Sequence, residues 1–209
     1  MLQIKHLQKK YGDKIILNID HLEIANGINH LKGINGSGKT TFSKIIAGLI
    51  PYEGEIVLQN TYSPIKTKLA YRKRVNFAES EANYPEFLTA NDLISFIGKA
   101  KGADKESMSF ITNTFGVDEY LFDHVGTYSS GMLKRLSLTL AFLGTPSLIL
   151  LDEPFNTLDT AAIDTLKNMI VSFHASSVNF ILISHQDISE LGVPIDARYL
   201  VHNHTITKE

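Results

Sequence analysis

The sequence predicts an α/β fold with a mainly parallel core sheet, an antiparallel β subdomain near the N-terminus and an inserted helical subdomain. Two continuous apolar runs, residues 148–151 and 179–183, have the length of strands that are buried on both faces, as in a parallel sheet. Between them, apolar residues at helical spacing from Ile163 to Phe173 follow Asp159, a helix-capping residue type. Strand–helix–strand alternation of this kind is typical of α/β proteins.

The N-terminal part of the chain predicts several strands and one helix. Residues 2–4 and 15–19 have β-type composition on either side of a Tyr11-Gly12-Asp13 turn, and residues 28–32 and 55–58 predict further strands. One helix is predicted after the strand at 28–32, with one face made of four apolar residues and its end before Pro51. The four residues are Phe42, Ile45, Ile46 and Leu49.

The middle of the chain predicts helices. Thr89, followed three residues later by Asp92, has the pattern of a capping box, and residues 107–114 and 130–142 read as two more helices. We therefore predict one domain over residues 1–209, in which residues 1–85 and 146–209 form the core and about 86–145 form the helical subdomain.

Composition excludes several classes of function. The formal net charge is -2, which gives no general attraction for nucleic acid, and we expect no nucleic-acid partner. The absence of cysteine excludes disulfide scaffolds, cysteine-ligated metals and thiol catalysis. The apolar runs are far shorter than the ~20 residues of a spanning helix. No signal peptide is recognisable, so we expect a cytoplasmic protein that reaches a membrane only through a partner.

The glycine-rich stretch Gly33-Ile34-Asn35-Gly36-Ser37-Gly38-Lys39-Thr40-Thr41 matches the phosphate-loop pattern G-x-x-x-x-G-K-[ST] between a predicted strand and helix. Glycines allow backbone N–H groups to surround phosphate oxygens, and the helix N-terminus adds a positive dipole. Lys39 then lies between the β- and γ-phosphates, Thr40 offers a hydroxyl to Mg²⁺ and Thr41 reaches the α-phosphate. This predicts a P-loop NTPase, with kinases, GTPases and ATPases still open.

Two carboxylates follow the apolar run at 148–151. Asp152 ends this predicted strand at the sheet edge where α/β proteins bind ligands, so we expect it to hold Mg²⁺. Glu153 is the candidate general base for an attacking water. The alternative is that Asp-Glu-Pro simply ends a strand, but the phosphate loop gives the carboxylates an independent purpose.

With these motifs, the sequence resembles the nucleotide-binding domain of the ATP-binding cassette (ABC) family. Residues 128–132, Tyr-Ser-Ser-Gly-Met, resemble the signature motif L-S-G-G-Q, and Lys134-Arg135-Leu136 continues as in family members. Gly131 precedes Asp152 by 21 residues, which is the family's spacing. Residues 156–159 resemble the D-loop, and His185, after an apolar strand, resembles the switch histidine.

The resemblance implies a mechanism that needs two copies of the domain, as a homodimer or a heterodimer. Ser129 and Gly131 of one copy would bind the γ-phosphate of an ATP held by the other copy. His185 would contact the γ-phosphate and help to hold the attacking water, and Tyr11 would lie against adenine. The catalytic residues implied are Glu153, His185 and Lys39, with ATP and Mg²⁺ as cofactors.

The match departs from the family pattern in the signature motif and in the Q-loop. Tyr128, Ser130 and Met132 replace Leu, Gly and Gln of the signature motif. In the Q-loop, Ser80 stands where the family has a glutamine that reaches Mg²⁺. Ser80 would contact the metal only through water, whereas Glu79 or Glu81 would need a rearrangement; a solvated acidic turn is the other interpretation.

Two further clusters have both a functional and a structural interpretation. A basic run of five residues could meet lipid headgroups or nucleic acid, but a solvated face is the interpretation we adopt. These residues are Lys66, Lys68, Arg72, Lys73 and Arg74. His202 and His204 could ligate a metal, but no third ligand is evident nearby, and we predict a β-hairpin turn there.

The family resemblance implies an ATP-binding and ATP-hydrolysing subunit of an ABC transporter, of the small exporter-like type. Transmembrane permease subunits on separate chains would hold it at the inner face of the cell membrane, in a groove formed by the helical subdomain and the loop at residues 79–81. The alternative is a soluble ABC-type ATPase that acts on a ribosome or nucleic-acid complex. Such members usually join two domains or insert coiled coils, and 209 residues without a heptad run fit neither.

Overall fold

The computed structural model describes residues 1–209. The chain forms nine strands, arranged in two sheets, and six α-helices. The strands are β1 (Leu2–Tyr11), β2 (Lys14–Ile24), β3 (Ile28–Lys32), β4 (Glu53–Leu58), β5 (Val75–Ala78), β6 (Leu148–Asp152), β7 (Asn179–Ser184), β8 (Ala197–His202) and β9 (Thr205–Lys208). The helices are α1 (Lys39–Ile46), α2 (Lys68–Arg74), α3 (Ala90–Lys101), α4 (Lys105–Thr114), α5 (Ser130–Phe142) and α6 (Thr160–Ala175). None of the helices combines the length and the apolar composition that crossing a membrane requires.

The larger sheet has the strand order β5-β6-β7-β3-β8-β9, in which every pair is parallel except β8 with β9. Both apolar runs form central strands of this sheet, and each is buried on two faces. In β6, Leu148 and Leu150 belong to one core and Ile149 and Leu151 to the other. This arrangement confirms the predicted mainly parallel α/β core.

The smaller sheet has the order β2-β1-β4 and is antiparallel throughout, as predicted for the N-terminal part. It shares a core with α1 and the larger sheet, to which residues such as Ile4, Leu17 and Phe42 contribute. A backbone hydrogen bond of 2.7 Å from Asn18 N–H to the carbonyl of His204 joins β2 to the β8–β9 hairpin.

Capping residues define the helix ends that the sequence predicts. Thr89 and Asp92 form the predicted capping box of α3, and Asp159 accepts a hydrogen bond from Ala162 N–H at the start of α6. The helix α5 has the predicted bounds. Between residues 86 and 145 the chain is helical apart from turns and one isolated bridge, while the division into core and helical subdomain stays a prediction.

The prediction that α1 reaches Leu49 is wrong. The helix ends at Ile46, and Leu49 lies beyond it with 56% of its surface exposed. Gly48 has φ 71°, and Leu49 N–H and Gly48 N–H donate to the carbonyls of Lys44 and Ile45. This is a Schellman ending, in which glycine adopts the left-handed conformation that stops a helix.

The turn between β8 and β9 confirms the predicted hairpin at the C-terminus. Asn203 and His204 occupy the turn with φ 45° and 64°, as two-residue hairpins of the I′ type require. No group of three or more histidine or carboxylate side chains in the molecule is arranged to hold a metal ion, and His202 and His204 belong to the hairpin itself.

Asn76, on the edge strand β5, ties the sheet to the end of α5. Its Nδ2 donates to the carbonyls of Ala141 and Leu143, both at 2.8 Å, and the residue is 2% exposed. We expect Asn76→Ala to lower the free energy of unfolding by about 2 kcal/mol, because two buried carbonyls lose their donor. Urea unfolding checks this. The control is Asn168→Ala, on the exposed side of α6, which should change the free energy of unfolding by less than about 0.5 kcal/mol.

Candidate nucleotide-binding site

The carboxyl ends of four adjacent parallel strands bring the predicted site residues to one edge of the larger sheet. In sheet order, Ser80 follows β5, Asp152 and Glu153 lie at the end of β6, His185 follows β7, and the phosphate loop follows β3. A cavity of about 320 Å³ opens at this edge. The residues that line it are Ile16, Asn35, Gly36, Gly38, Lys39, Thr40, Thr41, Ser80, Asp152 and Glu153.

Glycine is required at specific places in the phosphate loop. Gly36 and Gly38 have φ 80° and 105°, which L-residues rarely adopt. A side chain on Gly38 would also meet Leu17 at 3.1 Å, and one on Gly33 would lie 2.7 Å from Ser37 Oγ. The loop therefore holds its backbone against the neighbouring strands and leaves α1 to begin at the cavity with Lys39.

Lys39 is 6% exposed, and its ammonium donates to the carbonyls of Gly33 at 2.7 Å and Ile34 at 3.0 Å. Burial lowers the pKa of Lys39, while the charges of Glu153 and Asp152 act in the opposite direction. The cation is thus held inside the loop by neutral acceptors, which an anionic ligand can replace with stronger, charge-assisted bonds.

Asp152 and Thr40 form the oxygen-rich corner of the cavity. The hydroxyl of Thr40 donates to Asp152 Oδ2 at 2.8 Å, and Asp152 is only 1% exposed. Burial raises the pKa of Asp152, and the hydrogen bond from Thr40 opposes this effect. A cation held by both oxygens would relieve the desolvated carboxylate.

The residues of the loop and of this corner fit a nucleotide with Mg²⁺. Ser37 Oγ is shielded from solvent without a hydrogen-bond partner, so the loop contains an unused polar group. The Thr40 hydroxyl, the Asp152 carboxylate and the nearby Ser80 hydroxyl are hard oxygen ligands. Mg²⁺ typically takes one or two such protein oxygens together with phosphate oxygens and water.

Glu153 is held by His185, which directly follows the neighbouring strand β7. His185 donates its backbone N–H to Glu153 Oε1 at 2.9 Å, and its Nδ1 lies 2.8 Å from the same oxygen. Glu153 has φ 46°, a rare conformation for this residue type, and it lines the cavity. The predicted base and the predicted switch histidine are therefore in direct contact.

Three predicted ligand residues lie away from this cavity. Ser129 is exposed at the N-terminus of α5, where its Oγ accepts a hydrogen bond from Met132 N–H, and Gly131 lies beside Thr157. The Tyr11 ring is 55% exposed at the end of β1, with Lys9 Nζ 4.7 Å from the ring centroid. None of the three lines the cavity within one chain.

The acidic loop before Ser80 has a definite arrangement. Glu79 forms an ion pair with Lys44 at the end of α1, and this pairing directs Glu79 away from a free role as a metal ligand. Ser80, in contrast, lines the cavity together with Thr40 and Asp152. Of these two residues, only Ser80 lines the cavity.

Sequence reasoning missed two buried polar contacts behind the site. His30 in β3 donates from Nε2 to Ser184 Oγ at 2.8 Å, and Ser184 donates in turn to the carbonyl of Gln186, next to His185. Burial lowers the pKa of His30 to about 4, so the ring is neutral. Lys134 of α5 donates to the carbonyl of Asp152. The sequence does contain a sign of both contacts, because His30 and Lys134 are polar residues at positions where the hydrophobic pattern predicts a buried side chain.

Comparison with known proteins gives a consistent result. A family model described as ABC transporter matches residues 18–156. The lantibiotic transport ATP-binding protein SrtF of Streptococcus pyogenes is 30% identical over 187 residues, covering 88% of this chain and 80% of the relative. The cytochrome c biogenesis ATP-binding export protein CcmA of Legionella pneumophila is 32% identical over 192 residues, covering 90% of this chain and 94% of the relative.

A solved structure described as an ATP-binding subunit of an ABC transporter superimposes on the whole chain. The TM-score is 0.89 at 24% identity, and the match covers 100% of this chain and 89% of the other. This likeness establishes the fold. The family model and the two relatives show, in addition, that the chain belongs to the ABC transporter family, among its ATP-binding proteins.

Proposed function

We propose that this chain hydrolyses ATP to ADP and phosphate with Mg²⁺, as the ATPase subunit that drives transport through separate permease subunits. The observation that carries the proposal is the contact of His185 with Glu153, which lines the phosphate-loop cavity together with Asp152. The names of the relatives, which refer to lantibiotic transport and to cytochrome c biogenesis export, support a role in transport.

Each residue of the cavity has a chemical role in this proposal. Lys39 exchanges its two carbonyl partners for the β- and γ-phosphates, and Ser37 and the loop N–H groups bind the same oxygens. Thr40, Asp152 and, through water, Ser80 would hold Mg²⁺, which supplies charge neutralisation on the phosphates when bound. Glu153 accepts the proton of the attacking water, and His185 holds the carboxylate of Glu153 in place.

Dimer formation is part of the proposal, because one chain does not complete its own site. Ser129 and Ser130 are exposed at the N-terminus of a 13-residue helix, α5, and the cavity of the same chain is lined by neither. A helix N-terminus with exposed hydroxyl and N–H groups is suited to bind a phosphate group. The γ-phosphate of an ATP on a second ATPase subunit is the group it would bind, whether the dimer is of like or unlike chains.

An apolar groove offers a docking site for the permease, which would keep the chain at the cytoplasmic face of the membrane. A cavity of about 490 Å³ lies between the end of α1, α2, β5 and α3. It is lined by apolar side chains that include Leu49, Leu69, Phe77, Tyr84 and Ile97. Leu69 is 81% exposed and Leu49 is 56% exposed, and both line this cavity, so the exposed apolar surface is contiguous rather than scattered.

The proposed reaction is tested by phosphate release from ATP. We expect release with Mg²⁺ and its loss, by about 10²-fold or more, when EDTA removes the metal, because the phosphates then keep their charge. The measurement is a coupled colorimetric assay on the purified chain, with equal ionic strength in both arms. Turnover that is equal in EDTA would contradict the roles given to Thr40 and Asp152.

The docking groove predicts a second result. Leu69→Asp should reduce the amount of this chain that co-purifies with detergent-solubilised permease by about tenfold or more, since burial of a leucine contributes ~2 kcal/mol. Val171→Asp, at an exposed apolar position on α6, is the matched control and should leave recovery unchanged. Circular dichroism of both variants verifies folding, and equal recovery of the two would contradict the groove as the docking site.

A further inference from the structure

Lys134 is a buried lysine directly behind the catalytic edge. It belongs to α5, the helix that starts at the signature residues, and only 4% of its surface is exposed. Its ammonium donates to the backbone carbonyl of Asp152 at 3.0 Å. This contact joins the helix that carries Ser129 and Gly131 to the strand end that carries both carboxylates.

A buried ammonium is costly unless charges or hydrogen bonds compensate it. Burial lowers the pKa of Lys134 to about 8, and the negative charges of Asp152 and Glu153 oppose that shift. The hydrogen bond that Nζ donates goes to a neutral carbonyl. The favourable electrostatic environment of this cation is therefore the pair of carboxylates at the end of β6.

We propose that Lys134 is a positioning residue for hydrolysis, which fixes the Asp152–Glu153 peptide and thereby the directions of the two carboxylates. The proposal rests on the proposed ATPase function and adds a residue that touches neither phosphate nor metal. It acts through the carbonyl of Asp152, while the side chain of Asp152 faces Thr40 on the other side. Asp152 is consequently held from two elements, α1 and α5.

A lysine elsewhere in the chain provides a matched comparison. Lys101, at the end of α3, also donates to backbone carbonyls, those of Arg72 and of Val75, the latter at 2.9 Å. Burial lowers the pKa of Lys101 to about 8 as well. It does not line the phosphate-loop cavity. A purely structural role for lysine-to-carbonyl bonds would make the two residues equivalent.

The test compares Lys134→Met, Lys134→Gln and Lys101→Met in the full chain. Methionine keeps much of the volume of lysine without charge or donor, and glutamine retains a donor without charge. We expect Lys134→Met to lower kcat about 10- to 100-fold and to raise the Mg²⁺ concentration that gives half-maximal rate, as for loss of a charged hydrogen bond. The Kd of ATP measured without Mg²⁺ should stay within about twofold, Lys134→Gln should recover part of kcat, and Lys101→Met should retain the wild-type kcat.

The outcomes separate this inference from the function on which it rests. No hydrolysis by the wild-type chain with Mg²⁺ overturns the ATPase proposal and this inference with it. A hydrolysing wild type with unchanged kcat in Lys134→Met overturns the inference alone. Equal losses in Lys134→Met and Lys101→Met, or a loss of ATP affinity that matches the loss of kcat, also overturn it, because the role would then be structural. If Lys134→Met does not fold, Lys134→Gln decides by the same criteria.

Discussion

Glu153→Gln is expected to lower kcat for ATP hydrolysis by about 10²- to 10⁴-fold, the range for loss of a general base. Glutamine keeps an oxygen that accepts the 2.9 Å hydrogen bond from His185 N–H, so the geometry around the site should persist. It cannot accept the proton of the attacking water. ATP affinity should therefore stay within about twofold, and single-turnover phosphate release together with equilibrium binding would measure both quantities.

The control for this substitution is Glu190→Gln, the same change at an exposed position in the segment after β7. It should leave kcat unchanged. A Glu153→Gln variant with more than about a tenth of the wild-type kcat would contradict the assignment of Glu153 as the base. His185, whose Nδ1 contacts Glu153, would then be the next candidate for the base.

Lys39→Ala should raise the Kd of ATP by about 100-fold or more. The substitution removes the cation that the loop keeps 6% exposed, and each charge-assisted hydrogen bond to a phosphate contributes about 1.5–3 kcal/mol. The fold should persist, because the partners of Lys39 are loop carbonyls at the cavity rather than core groups. Isothermal titration with ATP–Mg²⁺ measures the change.

Lys10→Ala provides the matched control, since Lys10 is an exposed lysine on β1. Its Kd should equal that of the wild-type chain. If Lys39→Ala bound ATP within about fivefold of the wild type, the phosphates would lie elsewhere in the cavity and the phosphate-loop assignment would be contradicted.

The sequence predicted those parts of the fold that depend on local signals. Apolar runs identified the central strands, and side chains with capping ability, such as Thr89 and Asp159, marked helix starts that the structure reproduces. The helix α2 and the strand β5 were not predicted, because α2 is basic and β5 has only four residues. The end of α1 was misjudged because the apolar spacing to Leu49 was weighted above the stop signal of Gly48.

In the candidate site, too, local motifs were predictable from the sequence and contacts between distant residues were not. The phosphate loop is contiguous in sequence, so its residues and their order were predictable from a pattern. The contacts of His30 with Ser184 and of Lys134 with Asp152 join residues that are 154 and 18 positions apart. Such contacts depend on how the strands and α5 pack together, and no pattern of spacing in one sequence specifies them.

In the proposed mechanism two ATPase subunits complete each other's sites around ATP, and the mass of Glu153→Gln in solution tests this for two copies of this chain. Size-exclusion chromatography with light scattering would be run without nucleotide, with ATP–Mg²⁺ and with ADP–Mg²⁺. We expect a monomer of 23.2 kDa without nucleotide and with ADP–Mg²⁺, and a dimer only with ATP–Mg²⁺. A monomer under all three conditions, in a variant that binds ATP, would contradict the claim that a second copy of this chain supplies Ser129 and Gly131.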